Sequence, residues 1–149
     1  MEIFRITKTQ YADRLVASGG AARWNARGRF VIYTAATRAL ACLENVVHRS
    51  GEGLQDSFWV MVIRIPDSVR IQTIAPDSLP PDWFAFTNYA QTQLTGENWL
   101  LGGQTAVLRV PSAIVTQEWN YLLNPIHPDF SKIRLIRTEP FIFDPRIKE

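Results

Sequence analysis

The chain has 149 residues, and at about 150 residues per domain this length implies one domain spanning residues 1–149. Sixteen basic and fourteen acidic residues leave a net charge of +2, which argues against nucleic-acid binding through bulk charge, since that needs clustered cations. Apolar residues make up 46% and charged residues 20%, the balance of a globular chain rather than a disordered one. The single cysteine, Cys42, excludes an internal disulfide and cannot supply a thiolate zinc site alone, so a reducing compartment is expected.

The segment Met1–Tyr11 carries Glu2, Arg5 and Lys8 and lacks the apolar core of a signal peptide. Glu2–Ile6 reads as a short strand. Gln10–Ala21 has helix-compatible spacing and stops at Gly19-Gly20. Arg23–Arg29 is a polar, glycine-containing turn, and Phe30–Thr34 is a β-prone run. Thr37–His48 is the clearest helix, with Thr37 as a cap for an early backbone N–H. Its Leu40, Leu43 and Val47 recur as one apolar stripe, and Arg49-Ser50-Gly51 ends it. Phe58–Ile65 and Val69–Ile74 read as strands around a Pro66-Asp67 turn. The longest strongly apolar run, Phe58–Ile63, is too short to span a bilayer as a helix. A soluble, cytoplasmic protein without membrane contact is expected.

Prolines at 76, 80 and 81 make Ala75–Asp82 a loop. Phe84–Leu94 is a plausible helix, and Thr95–Gly103 resists placement. Thr105–Val110 is a strand closed by Pro111, and Lys132–Thr138 and Phe141–Phe143 are late strands. The order does not alternate as βαβα, so the expected class is α+β with antiparallel or mixed strands. Five tryptophans point to core and pocket lining.

The chemistry-bearing residues are few. His48 and His127 are far apart, with no HExxH, CxxC or carboxylate cluster beside them, so no metal site is expected. Neither Gly-Gly pair extends to a dinucleotide or Walker loop. Cys42 sits inside a helix as a small hydrophobe, and Ser112 follows Pro111 without a GxSxG context. What remains is Arg23 in a turn, Tyr33 near the end of the next strand and Glu44 in the following helix. Glu44 lies beside the apolar stripe. Spacing alone favours a boundary carboxylate paired with an arginine.

Gly20 through His48 resembles the RES-domain family of bacterial toxins, named for an arginine, a glutamate and a serine. The pattern is Gly20-Ala21-Ala22-Arg23-Trp24-Asn25, Gly28, Val31-Ile32-Tyr33-Thr34-Ala35 and Ala39 through His48. Leu79-Pro80, Asp82-Trp83, Gly96 and Trp99 fit the family's middle. Val110-Pro111-Ser112, Asn120, Leu123-Asn124-Pro125, His127-Pro128 and Phe143-Asp144-Pro145-Arg146 fit its end. Ala26 stands where the family often has proline, a departure that touches turn stiffness more than chemistry.

The resemblance implies a toxin of a Res–Xre toxin–antitoxin pair, with a fold similar to the ADP-ribosyltransferases. It implies cleavage of the nicotinamide–ribose bond of NAD⁺, with ADP-ribose passed to water, phosphate or a protein side chain. NAD⁺ is then a substrate, inorganic phosphate a candidate co-substrate, and no cofactor is needed. The implied partner is an Xre-like helix-turn-helix antitoxin that blocks the active site. Self-association is open.

On this reading Arg23 anchors the pyrophosphate, because a guanidinium offers a planar donor fork to phosphate oxygens. Tyr33 stacks on nicotinamide or its ribose, and Glu44 stabilises the charge developing on the ribose. Ser112 bonds nicotinamide or ribose, and Asn25 supports the pocket. His48, one turn after Glu44, is expected as its structural partner, since nicotinamide departs neutral and needs no acid. A protein ADP-ribosyltransferase is the alternative. A non-enzymatic interaction module or a nuclease-type toxin stands behind both.

Overall fold

A computed structural model describes residues 1–48 and 57–147. The expected stop at Arg49-Ser50-Gly51 lies outside the described residues. Seven strands form one mixed sheet: β1 (Glu2–Lys8), β2 (Ile32–Ala35), β3 (Phe58–Arg64), β4 (Ile71–Thr73), β5 (Val107–Pro111), β6 (Trp119–Leu123) and β7 (Arg134–Phe141). Among the described residues there are two α-helices, α1 (Arg38–Val47) and α2 (Tyr89–Gly102), and several short 3₁₀ turns. The sheet order is β4-β5-β6-β2-β1-β3-β7, and only β4 and β5 are parallel. The α+β class with mixed strands is the one expected.

Strand alternation sorts the core. Ile3, Met61, Ile63, Ile32, Val107 and Leu123 pack on one face. The other face holds two separate clusters. Phe4, Ile6, Val60 and Val62 pack under α1. Trp24, Trp83, Trp99, Leu108, Val110 and Leu122 pack under α2. The division falls between β1 and β2, which pair only at Phe4 and Ala35, whereas β1 and β3 pair along seven positions. The sheet therefore holds together on both sides of a thin seam.

Several expected elements fold differently. Gln10–Ala21 is not a helix: a 3₁₀ turn at Thr9–Tyr11 leads into irregular chain. Its Ala12, Leu15 and Ala17 pack against the sheet individually, and Gly19 adopts φ +76° to reverse the chain. The Pro66 turn forms, with Val69 N–H donating to Pro66 O. However, its flanking strands do not pair: β3 is internal and β4 lies at the far edge. β6 was not expected at all. The two late strands are one, β7, and Phe143 lies beyond it in an edge-to-face contact with Phe58.

α1 begins where expected, with the Thr37 hydroxyl accepting the Leu40 N–H at 3.0 Å. Its stripe is rotated from the expected one. Leu40 and Ala41 are buried, whereas Leu43 is 43% and Val47 58% exposed. Glu44 falls 40° round the helix from Leu40 by the 3.6-residue period, on the inward side. α2 starts after a 3₁₀ turn at Phe86–Asn88, later than expected. It runs through the unplaced segment to Gly103, a left-handed C-terminal cap at φ +64°.

Candidate active site

A cleft of about 430 Å³ opens at the seam between the two core clusters. Arg23, Tyr33, Glu44 and His48 all line it. Phe4, Ile6 and Ala35 come from one cluster and Trp24 from the other, so the parting of β1 and β2 creates the space. Asn25 and Ser112 do not line it; both are buried behind it.

The acidic wall is carried by α1. Glu44 Oε1 accepts the Ser112 hydroxyl at 3.1 Å, and Glu44 Oε2 lies 3.3 Å from His48 Nε2. The Glu44 side chain stays 24% exposed, so its carboxylate still reaches the cleft. Its neighbours are a serine and a histidine; among the described residues it forms no salt bridge with an arginine. Ser112 is fully buried. Its one proton goes to Glu44, and its oxygen accepts the N–H groups of Ile114 and Val115 at 3.1 and 3.2 Å. Expected against the substrate, Ser112 is instead a support for Glu44, because a hydroxyl has a single donor to give.

The basic wall is the turn before β2. The Arg23 guanidinium stacks 4.8 Å from the centre of the Tyr89 ring and donates weakly to Trp83 O at 3.5 Å. Tyr33 locks this turn: its hydroxyl donates to Asn25 Oδ1 and accepts the Trp24 N–H at 3.1 Å. Burial pushes the Tyr33 phenol well above the usual tyrosine range. Its ring can face a ligand, but its proton is committed inward. Asn25 donates to Gly20 O and Arg29 O at 2.8 and 2.9 Å, which closes the loop that presents Arg23. Asn25 itself, read from the sequence as a substrate-binding residue, does not line the cleft.

Arg5 of β1 also borders the cleft, a position that motif reading missed. Its pairing opposite Met61 puts its side chain on the Ile3 and Met61 face of the sheet, the face opposite Phe4 and Ile6. Burial lowers its guanidinium below the usual arginine range while leaving it charged at neutral pH.

No group of three or more His, Cys, Asp or Glu side chains suited to a metal ion occurs among the described residues. Nor does any helix among them have the length and apolarity to cross a membrane.

Known proteins resemble this chain along nearly its whole length. The RES domain family profile matches residues 2–144. The chain is 37% identical over 145 residues to a Prs ADP-ribosylating toxin of Sphingobium sp. (strain YBL2), covering 94% of this chain and 90% of that protein. It is 34% identical over 152 residues to the Toxin Res of Photorhabdus laumondii, covering 99% and 97%. A chain of the crystal structure of the M. tuberculosis MbcT-MbcA toxin-antitoxin complex shares the fold at a TM-score of 0.76. It has 15% sequence identity and covers 95% of this chain and 84% of that one. On the profile match over residues 2–144 and these identities along nearly the whole chain, the chain belongs to the RES domain family.

Proposed function

We propose that the chain is the toxin of a toxin–antitoxin pair and consumes NAD⁺ by breaking its nicotinamide–ribose bond. One observation carries the reading: a single cleft is lined by the cation Arg23 and by one partly exposed carboxylate, Glu44. NAD⁺ has a matching polarity. Its pyrophosphate is anionic, and its ribose becomes cationic as the bond to nicotinamide breaks.

In this mechanism Arg23 holds the pyrophosphate. The Tyr33 ring lies against nicotinamide or the attached ribose. Nicotinamide leaves with the bonding electron pair and departs neutral, so no general acid is required. Glu44 faces the developing positive charge on the ribose and stabilises it. Ser112 and His48 orient the two carboxylate oxygens. An acceptor then bonds to the ribose carbon and gives up its proton. Water yields free ADP-ribose, and phosphate yields its phosphorylated form.

A protein side chain as acceptor is the second reading, favoured by the 37% identity to an ADP-ribosylating toxin. The partner in either case is an antitoxin of the Xre-like helix-turn-helix type that covers the cleft. The likeness to a chain from a toxin–antitoxin complex supports an antitoxin partner.

Purified protein incubated with adenine-labelled NAD⁺, with and without phosphate, tests the proposal. Nicotinamide release is expected, and it should vanish in a folded Glu44→Ala variant. Intact NAD⁺ alongside toxicity on expression would overturn the reading. Label appearing on a target protein rather than in small products selects the second acceptor.

A further inference from the structure

α2 packs against the rest of the molecule in an unusual way. Its residues at 89, 92, 93 and 96 share one helical face, and all four meet the turn that carries Arg23. The Thr92 hydroxyl donates to Arg23 O at 2.7 Å. Gln93 Nε2 donates to Ala22 O at 2.9 Å and to Asn25 O at 3.2 Å. The Gly96 backbone lies so close to Trp24 that a Cβ there would come within 1.8 Å of the Trp24 carbonyl oxygen. The Tyr89 ring lies 4.8 Å from the Arg23 guanidinium.

These contacts are polar or backbone contacts, made beside the apolar ones of Trp99 and Leu100, which the same helix buries in the core. Here the carbonyls of Ala22, Arg23 and Asn25 are held from one side, and the charged head of Arg23 is held by a ring from the same helix.

We infer that Gln93 and Tyr89 are positioning residues that set where the Arg23 guanidinium stands in the cleft, Gln93 by fixing the turn and Tyr89 by stacking on the cation. The inference rests on the reading of Arg23 as the NAD⁺ anchor. Neither residue lines the cleft, so each acts on the ligand only through Arg23.

The test measures NAD⁺ dissociation constants in the full chain with Glu44→Gln, where the ligand is not consumed during titration. Gln93→Met keeps the side-chain size and removes the donors. Tyr89→Leu removes the ring, and Tyr89→Phe restores it. Gln93→Met and Tyr89→Leu are each expected to weaken binding roughly fivefold, whereas Tyr89→Phe should bind within about twofold of the parent. Added to Arg23→Ala, neither change should weaken binding further, because the group through which they act is gone. Melting curves identify any variant that has simply lost its fold, and Tyr89→Phe then carries the comparison with the parent.

Unchanged affinity in both Gln93→Met and Tyr89→Leu, with Arg23→Ala weakened, would overturn the positioning role alone. So would effects that add in full to Arg23→Ala, the mark of a merely structural contribution. Unchanged affinity in Arg23→Ala would overturn the anchor reading and the positioning role with it.

Discussion

Glu44 and Arg23 face the same cleft on different kinds of support. Glu44 stands on the first full helix after β2, backed by a buried serine and flanked by a half-solvated histidine. Arg23 stands on a short turn with almost no regular structure, yet Tyr33, Asn25, Thr92 and Gln93 fix the backbone around it. The acidic wall gets its position from a helix and two side chains. The basic wall gets its position from hydrogen bonds to peptide groups, because a turn lacks an internal ladder of its own. A catalytic carboxylate needs orientation of two oxygens. A cation anchoring a diphosphate needs a fixed distance from it, and that distance depends on backbone placement.

The largest expected effect is on the acidic wall. Glu44→Ala should lower nicotinamide release by on the order of 10²–10³-fold, the range for losing one preorganised electrostatic group, with the melting temperature little changed. A loss below about tenfold would mean that the carboxylate is not the group that meets the developing charge.

Gly96→Ala probes the basic wall. At an exposed helix site this change would stabilise by about 1 kcal/mol. Here the new Cβ collides with Trp24 O, so we expect destabilisation by about 1–3 kcal/mol in denaturant unfolding, with weakened NAD⁺ binding. Stabilisation instead would show that the turn can yield without cost.

Ser112→Ala removes the proton donated to Glu44 and the acceptor for two backbone N–H groups. A fall in kcat of roughly tenfold and a loss of about 1–2 kcal/mol are expected, with KM less affected than kcat. A selective rise in KM would place the serine against the substrate after all.

The smallest effect concerns Tyr33 at alkaline pH. Burial raises its folded value above the ordinary tyrosine value of about 10. Its contribution to stability is therefore full below pH about 10 and is lost as the pH rises through the folded value. Tyr33→Phe cannot ionise, so the gap in melting temperature between the two proteins should narrow above that pH. A constant gap from pH 8 to pH 11 would show that the phenol is not held neutral by burial.

Where the chain's own local chemistry decides, the sequence was readable. The Thr37 cap needs only a hydroxyl ahead of a helix, and β1 needs only a β-prone run. The family pattern around Arg23, Tyr33 and Glu44 lies within a stretch short enough to read as one motif. Tertiary packing decided the rest. The second half of α2 resisted placement because its apolar burial is confined to Trp99 and Leu100, while Thr92, Gln93 and Gly96 on the same helix meet backbone. Ser112 looked like a substrate-facing hydroxyl until β5 placed it behind Glu44.

The sequence by itself thus determined the α+β class, the family and three residues of the site. Each follows from short-range preference or from a pattern of residue types. Only the tertiary structure decided which side of the Glu44 carboxylate the serine occupies and which helix holds the Arg23 turn in place. Those depend on residues 60 or more positions apart meeting across a seam in the sheet, and no local pattern encodes that distance.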